Sequence, residues 1–160
     1  MKIQSYHGWG KMMVYHGSHS EMQFHRLSKR SFAWAQFFLK CDQSQGPSPE
    51  GLTNAAVQHA AMAVECGLKA LILDSTSRVR REVVQESFKG SQAHNLQWLK
   101  DCLRVQGITI PKEIIVNMAQ MGSWDHNQRY DLHVVSRSNA SNFLARAKLV
   151  LDWVGNRMSP

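Results

Sequence analysis

At 160 residues and 18.2 kDa the chain amounts to one domain, long enough to bury about two thirds of the surface its unfolded form exposes. A hydrophobic share of 43% and a charged share of 19% exclude a disordered tail, a collagen and a coiled-coil rod, and apolar runs such as 60–64 and 70–73 fall far short of the roughly 20 residues of a membrane span. Nineteen Lys and Arg against twelve Asp and Glu give a net charge of +7, which points to phosphate or nucleic acid as an anionic partner, although surplus charge also serves solubility.

Residues 1–17 carry no helical period and read as an N-terminal extension, with the folded domain at 18–160. Ser18 and Ser20, each followed three residues later by Glu21 or Gln23, have the spacing of a reciprocal helix cap. Phe24, Leu27, Ala35 and Phe38 then recur near every 3.6 residues, which predicts an amphipathic helix over about 20–41 with Arg26, Lys29 and Arg30 on its outer face. Gly46, Pro47 and Pro49 end it, and Ser48 with Pro49 forms a cap and first-turn pair for a second helix. From Pro49 to Leu73 apolar and small residues fill nearly every position, so this helix is expected to be central and buried on several sides.

A charged helix over 77–88 bears Arg78, Arg80 and Arg81. The next, about 92–105, shows two adjoining apolar rows and stops at Gly107, the left-handed cap position. Pro111 opens a shorter helix to about Met121, and Ser138 or Asn139 caps a last helix striped with Ala140, Phe143, Leu144, Ala147, Val150, Leu151 and Val154. Five or six helices without a strand pattern predict an all-α helical bundle. The three cysteines, Cys41, Cys66 and Cys102, form no CxxC pair and are expected to be reduced, buried thiols. No export signal is apparent among His7, Gly8, His16 and His19, so a cytoplasmic location is expected.

The connection 122–138 is explained by neither the helical nor the strand period, and long connections within compact domains are disproportionately functional. It gathers Trp124, Asp125, His126, Arg129, Tyr130, Asp131, His133 and Arg137. Arg129, His133 and Arg137 are four apart and share a face of any helix through the segment. Histidine suits proton transfer near neutral pH, and the arginine fork grips phosphate oxygens in pairs; a solvated basic loop tied down by Asp125 or Asp131 fits the same residues. Tyr130 and Trp124 can stack a nucleotide ring or pack the loop onto the bundle. His94 stands near a helix start, where backbone N–H groups attract phosphate, or serves as a capping or core residue. Lys69 with Glu65 four residues earlier is an intrahelical ion pair or a buried functional lysine. The basic clusters 26–30 and 78–81 are solvated helix faces, or an RNA funnel if they share a side. Neither a metal nor a cofactor is expected: His16, His19 and His25 lack suitable co-ligands, and no Walker loop, GxSxG elbow or G-x-G-x-x-G turn is present.

Several segments resemble the HEPN domain family over about 20–157. AAVQHAAMAVECGLKALIL (55–73) is similar to that family's small-residue helix. AHNLQWLKDCL (93–103) resembles its His-Asp-Leu helix entry, with Asn95 where Asp is usual. QRYDL (128–132), followed by a final helix ending LVLDWV, resembles the nucleotidyltransferase-associated branch. The resemblance implies a helical bundle, a homodimer, and binding of a nucleotide, RNA or a partner nucleotidyltransferase through the basic loop, with His94, Trp124, His126, Arg129, Tyr130, Asp131 and Arg137 as ligand contacts. The family's ribonuclease branch, found in toxin and antitoxin pairs and phage defence, carries Arg, four to six residues, then His. Arg129 and His133 enclose only three, so the alternative of a metal-independent endoribonuclease using that pair departs from the pattern. A purely structural interaction module is the remaining alternative.

Overall fold

The computed structural model describes residues 20–44, 51–121 and 135–158. Among the described residues six α-helices make up the bundle: α1 (Glu21–Ser44), α2 (Leu52–Asp74), α3 (Arg81–Ser87), α4 (Leu96–Val105), α5 (Lys112–Met121) and α6 (Arg137–Gly155), with short 3-10 turns at Arg78–Arg80 and Ser91–His94. No strand occurs among the described residues. The all-α bundle expected from the periodicities is therefore the observed architecture.

The start of α1 follows directly from its sequence. The Ser20 amide donates to Gln23 Oε1 at 2.8 Å, and the Gln23 amide donates to Ser20 Oγ at 3.3 Å, so each side chain satisfies a backbone donor that the first helical turn leaves open. α1 then runs antiparallel to α2: Phe24 lies beside Lys69, the Ser28 hydroxyl donates to the Ala63 carbonyl at 2.8 Å, and the Phe38 ring sits 5.4 Å from that of His59.

α2 is the centre of the molecule, touching α1, α3, α4 and α6, and every residue from Cys66 to Leu73 is buried. Its length and composition would suffice to cross a membrane, and most of its surface is instead covered by the other helices. Gln58, His59, Glu65 and Lys69 break the apolar runs, yet the helix stays apolar on average, which counting uninterrupted stretches did not register.

α6 runs parallel to α2. The Val135 amide donates to Asn54 Oδ1 at 2.8 Å at one end. Farther along, Gly67 of α2 faces Leu151 and Val154 of α6 and Ser28 of α1 so closely that a β-carbon there would lie 3.0 Å from Leu151 Cδ2 and 3.2 Å from Ser28 Oγ. The missing side chain lets three helices converge. The stripe expected for α6 is the face it buries, through Ala140, Leu144, Ala147, Val150 and Val154. α5 is fastened to α6 by the Arg146 guanidinium, which donates to Asn117 Oδ1 at 3.4 Å and to Gln120 Oε1.

Four boundaries differ from expectation. Gly51, at φ 123°, stands between Pro49 and α2 in a conformation that interrupts a helix, so α2 begins at Leu52; Ser48 and Pro49 lie outside the described residues. The charged stretch 77–88 is a 3-10 turn followed by only two turns of α3, because Arg81 turns back to donate from Nε to the Thr76 carbonyl at 3.2 Å. The helix expected over 92–105 divides at Asn95, which is extended and whose Oδ1 accepts the amides of Gln97 at 2.8 Å and Trp98 at 3.2 Å. Ser136 caps α6, accepting the Asn139 amide at 3.2 Å, two residues ahead of the expected Ser138. Gly107, at φ 78°, does occupy the left-handed position after α4. Of the cysteines, Cys66 is buried while Cys41 and Cys102 are half-buried, against the expectation of burial for all three, and none forms a disulfide.

Candidate functional site

The surface charge sorts into paired and unpaired groups. Lys69, Arg81, Lys89, Arg104 and Lys148 each hold an acidic partner, respectively Glu65, Glu21, Glu86, Asp101 and Asp152. Arg26, Lys29, Arg30 and Lys40 on α1, and Arg78 and Arg80 on the 3-10 turn, are exposed and have no acidic partner among the described residues. One contact brings the two basic clusters to the same end of the bundle. Arg81 Nη1 donates to Glu21 Oε1 at 3.0 Å, which draws the 78–80 turn against the start of α1. Arg26 follows Glu21 by five residues, about 8 Å along the helix. Glu21 is consumed by this tie, so the cations on either side of it stay available to an external anion. The clusters that the sequence left as separate candidates thus share one end of the bundle.

A second constellation is internal. Lys69 is 4% exposed, with its ammonium 2.7 Å from Glu65 Oε1 and lying 5.9 Å and 5.5 Å from the ring centres of Phe24 and Phe88. The other carboxylate oxygen, Glu65 Oε2, is 3.0 Å from His94 Nδ1. One carboxylate thereby joins a buried cation to an imidazole that is 40% exposed at its side chain. Desolvating Lys69 is costly, and the ion pair together with two aromatic faces offsets that cost. The intrahelical pair expected from the Glu65 and Lys69 spacing is present; its extension to His94, from 29 residues away, is not visible in any local pattern.

The same contacts locate the two candidate residues that fall within the described segments. His94 ends the 3-10 turn that precedes α4, and its ring turns to Glu65. Asn95 already accepts from the amides of Gln97 and Trp98 at the start of α4, so two of the donors a phosphate would use there are taken. Arg137 is the first residue of α6, half-buried, near the Val135 to Asn54 contact. Asn54 and Glu65 are eleven residues apart on α2, about 16 Å, so His94 and Arg137 stand at different levels of the bundle and are not brought together. Trp124, His126, Arg129, Tyr130, Asp131 and His133 lie outside the described residues.

A cleft of about 540 Å³ opens between α1 and α6, lined by His25, Lys29, Phe32 and Gln36 on one side and Leu151, Asp152 and Asn156 on the other. Burial, and then the Lys29 charge, hold the His25 imidazole below its ordinary pKa. The sequence marked His25 only as a metal ligand lacking partners and Lys29 only as part of a basic face, and did not pair them. No cluster of three potential metal ligands occurs among the described residues. Compared with protein families, curated proteins and solved structures, the chain has no match.

Proposed function

We propose that this chain is a HEPN-like helical domain that binds a phosphate-bearing ligand, RNA or a nucleotide, through its cationic surface. One observation carries the reading: the Arg81 to Glu21 contact holds the 78–80 turn at the end of the bundle where α1 begins, so Arg78 and Arg80 lie toward the same end as Arg26, and cations gathered at one end favour a phosphate-bearing ligand. The basic connection 122–138 belongs to the same proposal, with Arg129, Tyr130 and Arg137 as its ligand contacts. So do the homodimer and a partner nucleotidyltransferase that the resemblance implies.

Fluorescence anisotropy with labelled RNA tests it. The wild-type chain binds with an affinity that falls steeply as salt rises. Replacing Arg78 and Arg80 together by Ala removes two phosphate contacts and lowers the slope of log K against log salt by about 1.4, at about 0.7 per phosphate on a single strand. Arg129→Ala weakens binding while helical content by circular dichroism stays constant. Affinity and salt slope unchanged in the double variant would remove the basic cluster from the function, and no binding of RNA or nucleotide by the wild type would remove the function itself.

A further inference from the structure

We propose that the outward face of α1 is a docking strip for single-stranded nucleic acid, with phosphates on Arg26, Arg30 and Lys40 and bases stacked on Trp34 and Phe37. This rests on the RNA-binding reading above and names both the surface and the form of the ligand. The five residues follow one another at intervals of four, four, three and three, which places them on one side of a helix, and all five are exposed. From Arg26 to Lys40 they cover about 21 Å of α1, on the order of four nucleotides.

The two rings are held open. Trp34 is 47% and Phe37 52% exposed. Trp34 stacks on Phe38 at 5.9 Å, and Phe38, half-buried, rests on His59 of α2. Phe37 meets Trp34 edge-on at 5.6 Å. The exposed rings are therefore braced from beneath by a packed one, and little freedom is lost when a base settles on them. A strand with splayed bases offers both charge and π-faces along its length, matching a face on which two rings are flanked by two guanidinium groups on one side and an ammonium on the other. A second copy of the chain pairing through the same strip would set Arg26, Arg30 and Lys40 against their own equivalents, and like charges oppose that. Duplex RNA keeps its bases stacked inside and presents only phosphate.

The test uses the full chain, a labelled short oligouridylate and a blunt RNA duplex of equal length, with anisotropy read at fixed salt. The wild type prefers the single strand. Trp34→Ala and Phe37→Ala each lose roughly 5- to 150-fold in affinity for oligouridylate and bind duplex as the wild type does, while Trp34→Tyr, which keeps a stacking ring, retains most of the single-strand affinity. Circular dichroism confirms the helical content of each variant. If the alanine variants bind oligouridylate as tightly as the wild type while loss of Arg78 and Arg80 still weakens binding, the strip is wrong and the function stands. Failure of the wild type to bind any RNA overturns both. Ring variants that keep RNA affinity but lose self-association by light scattering, or lose binding to phosphatidylglycerol vesicles, overturn the proposal in favour of a second copy or a membrane surface.

Discussion

Glu65 is the residue on which the interior electrostatics turn. Glu65→Gln leaves the Lys69 ammonium buried among Phe24, Phe88 and the walls of α2 without a counter-charge, a situation that costs about 3–5 kcal/mol. Replacing both partners, Glu65→Gln with Lys69→Met, removes the buried charge as well and recovers most of that loss. Urea denaturation of the two variants reads the difference directly; equal losses would show that Lys69 is not held by this carboxylate. The neighbouring thiol adds a pH dependence of known sign. Burial chiefly, with help from Glu65 and against Lys69, pushes Cys66 up to about 12 from an ordinary value of 9.0. The folded thiol stays protonated where the unfolded one ionises, so this contribution is complete below about 9 and is lost as pH rises toward 12. The urea midpoint of the wild type is expected to fall more steeply across that range than that of Cys66→Ala. His25 acts at the opposite end: its depressed pKa favours the folded state above the ordinary histidine value and loses that contribution as pH falls through the folded-state pKa.

At the scale of elements, the convergence at Gly67 sets how α1, α2 and α6 fit. Gly67→Ala gains helix propensity of about 0.5–1 kcal/mol, yet the added carbon meets Ser28 Oγ, already committed to the Ala63 carbonyl, and Leu151 Cδ2. Overpacking of this kind costs typically 1–3 kcal/mol, so the net effect is a loss of about 1 kcal/mol and a melting temperature roughly 2–4 °C lower. A rise in melting temperature would mean that α6 yields more easily than the packing indicates. The elements were legible where local chemistry decides them. Ser20 with Gln23, Gly107 and the stripe of α6 each act within a few residues, and each is found where the sequence placed it. The division at Asn95 was missed because both flanking segments keep a helical apolar period, and only the side chain's capture of two amides separates them. The exposed rings of α1 were hidden for another reason. FAWAQFF (32–38) is apolar at every position but Gln36, so periodicity does not separate Phe38, which packs inward, from Trp34 and Phe37, which do not.

For the molecule as a whole, the hydrophobic pattern was enough to give an all-α bundle with α2 at its centre, since a helix apolar on every side has to be covered on every side. The candidate site was far less legible. The contacts that organise it, Arg81 with Glu21 across 60 positions and His94 with Glu65 across 29, arise from the arrangement of helices and leave no trace in local spacing. Six of the residues the sequence nominated lie outside the described segments, while on α1 the sequence marked the cations at 26–30 as a basic cluster and passed over Trp34, Phe37 and Lys40. The order of the chain also matters for how the bundle comes into being. Gly67 closes against residue 28 on one side and residues 151–154 on the other, so its surroundings join segments far apart in the chain. During synthesis α2 emerges long before the segment that covers its second flank, and its greasy side stays open to solvent until α6 has been made. A nascent chain stalled before α6 would present a membrane-length apolar rod that still lacks one of its covers, which makes the codons of α6 the ones that decide whether the newborn bundle closes or waits on a chaperone.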